Sequence, residues 1–230
     1  MQQVPYILHY APDNASLVIR LALQEIGAPY RTQLVDRSAG AQRRAAYLAL
    51  NPNGLIPVLE TTDGAIFETA AILLWLADRH GGLAPACDSP ARGDVLKWLF
   101  FLSNTLHPAL RRLFYPAAYV GEDATHHAPL NRQTEAEILR HLNLLEARFA
   151  TPRPGILLDL YLGPMLRWLA LYPVGRDKSW FDLAGYPMLL DAMTRLETRA
   201  SVRSAAHAEG LGAAPFTRPR LATPPEGSPT

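Results

Sequence analysis

An α/β domain followed by an all-α helical bundle is the fold class this sequence predicts, and three observations predict it. Over roughly the first eighty residues the apolar pattern switches between the strand period and the helix period, as a mixed sheet with covering helices requires. Residues 81–90 then turn to Gly, Pro, Ala, Asp and Ser, the composition of a connection. Beyond them the period is helical almost throughout. The expected organisation is an α/β domain over 1–80, a linker over 81–90, an all-α domain over 91–209 and a Pro-rich tail over 210–230.

Taken in order, Tyr6 to Tyr10 reads as a strand and Ala11-Pro12-Asp13-Asn14 as a loop. A helix follows, with Ile19, Ala22, Leu23 and Ile26 on one face and Gly27 as its stop. Tyr30 to Val35 is a second strand, and Arg43 to Leu50 a short irregular helix closed by the turn residues Asn51-Pro52-Asn53-Gly54. Ile56 to Glu60 and Ala65 to Phe67 flank Asp63-Gly64, a hairpin signal. Thr69 to His80 is helical, with Ile72, Leu73 and Leu76 turned inward. In the second half, a long helix over Arg92 to Tyr119 must kink or end at Pro108 and Pro116. Ile138, Leu142, Leu145 and Phe149 mark another helix, as do Leu189, Ala192, Met193 and Leu196. From Gly210 onward, five prolines in twenty-one residues predict a tail that either wraps the surface or is disordered.

Composition excludes several classes. The chain has 230 residues, 49% of them hydrophobic, so it can bury a core without disulfides, which the single Cys87 cannot form within one chain. With 22 Lys+Arg against 21 Asp+Glu, no excess charge draws it to nucleic acid or acidic membranes. The apolar stretch Ile156 to Val174 carries Asp159, Pro164 and Arg167 and reads as a buried helix, not a membrane span. The first residues show neither a basic leader nor a long apolar run, so the expected location is the cytoplasm. The seven histidines lack metal-ligand spacing, and no metal site is expected.

Two blocks carry a resemblance: Asn51-Pro52-Asn53-Gly54-Leu55-Ile56-Pro57-Val58-Leu59-Glu60, and Phe67-Glu68-Thr69-Ala70-Ala71-Ile72-Leu73-Leu74-Trp75-Leu76-Ala77-Asp78. At this spacing, after a strand, loop and helix and before an all-α region, the chain resembles the soluble glutathione transferases, in a bacterial-like form. The resemblance implies a thioredoxin-like first domain and an all-α second one. It also implies glutathione as cosubstrate with no permanently bound cofactor, transfer of its thiolate to a small hydrophobic electrophile, and a homodimer. A glutathione-dependent disulfide or peroxide reductase, or a non-catalytic ligand-binding protein of the same fold, are the alternatives.

Within that resemblance Pro57 takes the place of a cis-proline, which leaves the N–H and C=O of Ile56 free to pair with the cysteinyl backbone of the ligand. Glu68 and Thr69, where a hairpin gives way to a helix, take the γ-glutamyl end, the carboxylate facing an ammonium and the hydroxyl and N–H facing a carboxylate. Arg43, or Gln42 one residue earlier, is placed for the glycyl carboxylate. At the sulfur, the loop Tyr10-Ala11-Pro12-Asp13-Asn14-Ala15-Ser16 resembles a bacterial pattern with Ala15 where a cysteine would stand. Ser16 is the expected catalytic hydroxyl, with Asp13, Asn14 and Tyr10 as alternatives. Among the aromatics Phe100, Phe101, His107, Phe114, Tyr115 and Tyr119, the i, i+4 pair Tyr115 and Tyr119 is expected to line the electrophile pocket. Relatives cap their core helix with a Ser/Thr-x-x-Asp box; here Asp159 is present but Ile156 stands at the cap.

Overall fold

The computed structural model describes residues 6–229. Strand β1 (Tyr6–Tyr10) leads through α1 (Ser16–Glu25) to β2 (Tyr30–Leu34). A 3-10 turn (Ala41–Arg43) and α2 (Ala45–Leu48) precede the hairpin of β3 (Val58–Thr61) and β4 (Gly64–Phe67), and α3 (Thr69–His80) closes the unit. The irregular helix expected over 43–50 is thus two short pieces. The four strands lie in the order β2-β1-β3-β4. β1 runs parallel to β2, with Tyr10 opposite Leu34, and antiparallel to β3, with His9 opposite Val58. β3 in turn pairs with β4, Val58 facing Phe67. This register sets the architecture of the site: the carboxyl ends of β1, β2 and β4 and the amino end of β3 all meet along one end of the sheet.

α1 is buried along nearly its whole length, from Ser16 to Leu23, because it packs against β1 and α3 on one side and against the helical half on the other. The helical half comprises α4 (Arg92–Phe101), a π turn (Leu102–Leu106), α5 (His107–Phe114), α6 (Ala117–Val120), α7 (Ala124–Phe149), α8 (Leu157–Leu171), α9 (Pro187–Glu197) and α10 (Ala200–Glu209). The helix expected over 92–119 is broken where the prolines demand it. Pro108 lacks the N–H that would reach back one turn, and the wide π turn lies just before it; α5 ends ahead of Pro116. Tyr115 therefore lies just past the end of α5 and Tyr119 on α6, a correction to their expected i, i+4 pairing on one helix. A single apolar cluster, including Leu8, Leu59, Leu73, Leu99, Leu142 and Leu162, runs continuously through both halves.

α8 is the central helix, buried at every residue from Leu157 to Leu169 except Asp159, and no helix among the described residues is long and apolar enough to cross a membrane. Its missing hydroxyl cap is replaced by backbone. The N–H groups of Ile156 and Leu157 both donate to the Leu83 carbonyl, at 2.8 and 2.9 Å. Gly155, at φ +80°, permits this approach, since a Cβ there would lie 2.3 Å from the Leu83 oxygen. Asp159 pairs instead with Arg153 at 3.0 Å. The tail takes the first of its two expected forms: Leu211 and Phe216 are buried, and the chain returns across the sheet end.

Candidate functional site

The end of the sheet gathers three segments: the loop after β1, Ile56-Pro57 before β3, and Glu68-Thr69 after β4. The helices α1 and α3 both begin there; the Leu17 and Val18 N–H groups of α1 are taken by the Asn14 and Ala15 carbonyls, while the first N–H groups of α3 take no bond among the described residues, and the two helix fields make the region electropositive. Among the described residues only Asp13 (φ 50°) and Glu68 (φ 73°) are non-glycines with positive φ, and both lie at this end. Such backbone is kept where the surroundings over-determine it, typically at sites.

In one half of the site polar groups stand free. The Ile56–Pro57 bond is cis. The N–H and C=O of Ile56 take no hydrogen bond among the described residues, while the carbonyl of neighbouring Leu55 is fully engaged by the Tyr47 hydroxyl and the Asn51 amide, both at 2.8 Å. Glu68 is exposed, its carboxylate unpaired among the described residues, and Thr69 follows it, buried, as the first residue of α3. These groups form an open edge that can add a short extended peptide, with a carboxylate beside uncapped helix N–H groups. Arg43 is exposed and makes no side-chain contact among the described residues, whereas the side-chain oxygen of Gln42 is buried without a partner. Of the two, Arg43 has the reach and the charge for a carboxylate.

In the other half the polar groups are consumed. Ser16 is 0% exposed, and its hydroxyl donates to the Ala11 carbonyl at 3.0 Å and accepts from the Ala11 N–H at 3.3 Å. The expectation that Ser16 meets a sulfur is thereby corrected: the hydroxyl closes the loop on itself. Asp13 accepts from Arg167 Nε and Nη2 at 2.8 Å each, from Trp168 Nε1 at 3.0 Å and from the Tyr172 hydroxyl at 2.7 Å. Its N–H donates to Glu209 at 2.8 Å, and Glu209 also pairs with Arg20 at 2.7 Å. Burial pushes the Glu209 carboxyl up to about 7 against the pull of Arg20. Tyr10 donates to Glu226 of the tail, with Arg20 over its ring; burial and that carboxylate hold its hydroxyl protonated. Of residues 11–16, only Asn14 and Ala15 are partly exposed, so Asn14 carries the one polar side chain of the loop with access to solvent. Its Oδ1 accepts from the Ala15 N–H at 2.8 Å, which aims the amide and leaves Nδ2 without a partner among the described residues.

Across from this loop stand Tyr115 and the aromatics of α5. Phe114 packs on Tyr172, which holds Asp13, and Tyr115 packs on Phe114 and accepts from Arg37 at 3.2 Å. Tyr119 is 46% exposed and makes no hydrogen bond or ring contact with the site segments among the described residues. Phe100 and Phe101 line a separate groove with Trp98 and Leu144. His107 is half-buried between Tyr161, 3.1 Å from its Nδ1, and the Trp168 ring; loss of solvation there, then the charge of Arg111, pulls its pKa down to about 4. Among the described residues no cluster of His, Cys, Asp and Glu could hold a metal. The sequence reading missed the charged core around Arg167 and Glu209. Its only signal was an arginine set in an apolar run, which has to find a buried partner.

The geometry agrees with the comparisons. The profile described as "Glutathione S-transferase, N-terminal domain" matches residues 15–79. Glutathione S-transferase GST-4.5 of Xanthomonas campestris pv. campestris is 29% identical over 215 residues, covering 89% of this chain and 98% of the relative. A sphingomonad glutathione S-transferase solved in complex with glutathione is 31% identical, covers 90% of this chain and 100% of its own, and superposes with a TM-score of 0.74. The disulfide-bond oxidoreductase YfcG of Escherichia coli (strain K12) is 36% identical over 110 residues, 45% of this chain and 51% of the relative. A thioredoxin-like sheet unit joined to an all-helical unit, with an open peptide-binding edge at the sheet end, defines the class. The chain belongs to the cytosolic-type glutathione S-transferase superfamily.

Proposed function

We propose that the protein binds glutathione along the sheet end and transfers its thiolate to an electrophilic small molecule. The observation that carries this reading is the open edge: Ile56 N–H and C=O unpaired among the described residues beside a cis-proline, with exposed Glu68 at an uncapped helix start. The cysteinyl backbone pairs with Ile56 beside Pro57. The γ-glutamyl ammonium faces Glu68, its carboxylate faces the Thr69 N–H, and the glycyl carboxylate faces Arg43. The sulfur then falls at the start of α1, where Asn14 takes the role expected of Ser16. An amide N–H donor and the helix field both favour thiolate over thiol, without the charge that Asp13 would set against it. The thiolate attacks the electrophile, a carbon–sulfur bond forms, and the leaving group departs with its electron pair. Phe114 and Tyr115 wall the electrophile, with Tyr119 at the outer rim. The setting is cytoplasmic, and the chemistry, capping reactive electrophiles, is detoxification.

A second reading, glutathione-dependent disulfide reduction, is favoured by the absence of any protein thiol in the loop and by the likeness of 110 residues of the chain to YfcG. There, two glutathiones reduce one disulfide and leave as oxidised glutathione. Assays with an aryl chloride and with the mixed disulfide of glutathione and mercaptoethanol separate the two. Conjugation that drops in Asn14→Ala sustains the first, and disulfide turnover with inert aryl chloride replaces it with the second. Binding without either turnover leaves a ligand carrier, and no binding by titration calorimetry sinks the site itself. Pairing of two chains is supported by the exposed apolar groove with Phe100 and Leu144, and light scattering reads it.

A further inference from the structure

Away from the sheet end, α10 and the returning chain border a half-open cleft of about 400 Å³, within the range of small-ligand sites, and the three cationic side chains that line it are exposed. It is lined by Arg203 and His207, one turn apart on α10, and by Arg220 of the tail, with Gly210, Gly212 and Pro215 as floor. The floor is bare backbone by construction. Gly212, at φ +89°, lies so close to Arg220 that a Cβ would sit 2.5 Å from the guanidinium Nε, and Gly210, at φ +65°, would put one 2.1 Å from the Thr223 carbonyl. The guanidinium is thus laid against main chain where no side chain can compete.

The charge of this cleft is not balanced. Arg203, His207 and Arg220 make no ion pair among the described residues. Arg203 donates to the Thr198 carbonyl and keeps its remaining N–H groups. The one carboxylate in the lining, Glu197, is held by the N–H groups of Phe216 and Thr217 and by the Thr217 hydroxyl, at 2.7 to 2.8 Å, so a single negative charge stands against two guanidinium groups. The walls are held firmly: the carbonyls of Pro215 and Arg220 accept from the fully buried Arg167 at 3.2 and 2.7 Å. Two fork-shaped donors and an imidazole around a preformed, half-apolar hollow suit a ligand with two or more anionic oxygens.

We propose that this cleft is a second ligand site, for a small molecule bearing phosphate or carboxylate groups. The proposal stands apart from the glutathione reading, since none of its residues belongs to the sheet end. Titration calorimetry of the full chain with inorganic phosphate and, separately, with citrate at matched ionic strength tests it. Dissociation constants near or below about 1 mM are expected for one or both probes. Binding should weaken about tenfold or more in Arg220→Ala and in Arg203→Ala, with Lys97→Ala, which removes an exposed cation elsewhere, binding as wild type. Phosphate alone marks a phosphoryl ligand, citrate alone a polycarboxylate. The proposal is overturned by no heat and no melting shift with either probe at about 10 mM, or by equal binding in the two arginine variants when their thermal melting matches wild type.

Discussion

The two halves of the sheet end treat their polar groups in opposite ways. Around Ile56 and Glu68 the backbone and carboxylate are left without a partner among the described residues, while around Tyr10, Asp13 and Ser16 each polar group is bonded inside the protein. The difference follows from neighbours. The first half is built from a hairpin and a helix start at the margin of the sheet. The second is clamped by α8, α10 and the tail, which bring Arg167, Glu209 and Glu226 onto the seven residues from Tyr10 to Ser16. In the proposed function the first half recognises the ligand; the second anchors the helical unit to the sheet and leaves Asn14 as its one polar side chain with access to solvent. A substitution in the recognising half should therefore change binding at constant stability, and one in the anchoring half should do the reverse.

The sharpest way to break this contrast is at Asp13. Both it and Arg167 have fully buried side chains, and removing one partner leaves the other charge without compensation. Asp13→Ala is expected to cost about 3–5 kcal/mol in urea unfolding. A loss no larger than that of an exposed substitution would mean the network does not anchor the fold. The neutral His107 below it gives a pH signature of the same clamp. Its folded-state pKa near 4 lies below the ordinary value of 6.5, so between those values the unfolded chain binds the extra proton. Its contribution is present in full above pH 6.5 and is lost as pH falls toward 4, roughly 3 kcal/mol for a shift of this size. The acid limb of the stability profile should flatten in His107→Gln relative to wild type, and parallel profiles would sink the assignment.

How much of this was legible follows the same division. The recognising half is local: turn chemistry at Asn51 to Gly54, a hairpin at Asp63-Gly64 and a helix start after Glu68 place Ile56, Pro57 and Thr69 from sequence alone, and the register of β1, β3 and β4 brings them together. The anchoring half rests on contacts between Asp13 and residues more than 150 positions away, which no local pattern encodes. Ser16 therefore read as a free hydroxyl, when its partner is the carbonyl five residues before it. The same limit hid the cap of α8. A hydroxyl box was sought near Ile156, and the linker carbonyl of Leu83 supplies the acceptor instead.

On the recognising side, Glu68→Gln keeps size and removes charge. Because Glu68 is exposed and unpaired among the described residues, unfolding stability should stay within about 0.5 kcal/mol of wild type. Glutathione binding should weaken by roughly 2 kcal/mol, the worth of a charge-assisted contact. Equal affinity in the two proteins would move the γ-glutamyl end elsewhere.

The smallest effect is the most discriminating, because it sets Ser16 against Asn14 within one loop. Ser16→Ala deletes a hydroxyl that serves both the N–H and the carbonyl of Ala11 in a dry environment, and should cost about 1–2 kcal/mol of stability. At a temperature where the variant is fully folded, its rate at saturating glutathione should equal wild type. Asn14→Ala loses only the bond to the Ala15 N–H, a few tenths to about 1 kcal/mol, since that group can reach water instead. Its rate should fall, and the pH at which glutathione becomes thiolate in the complex should rise, because the variant has lost the donor that favours the anion. A Ser16→Ala enzyme with wild-type stability and a shifted thiol titration would reverse the assignment. It would require the loop to open and release Ser16 when glutathione binds.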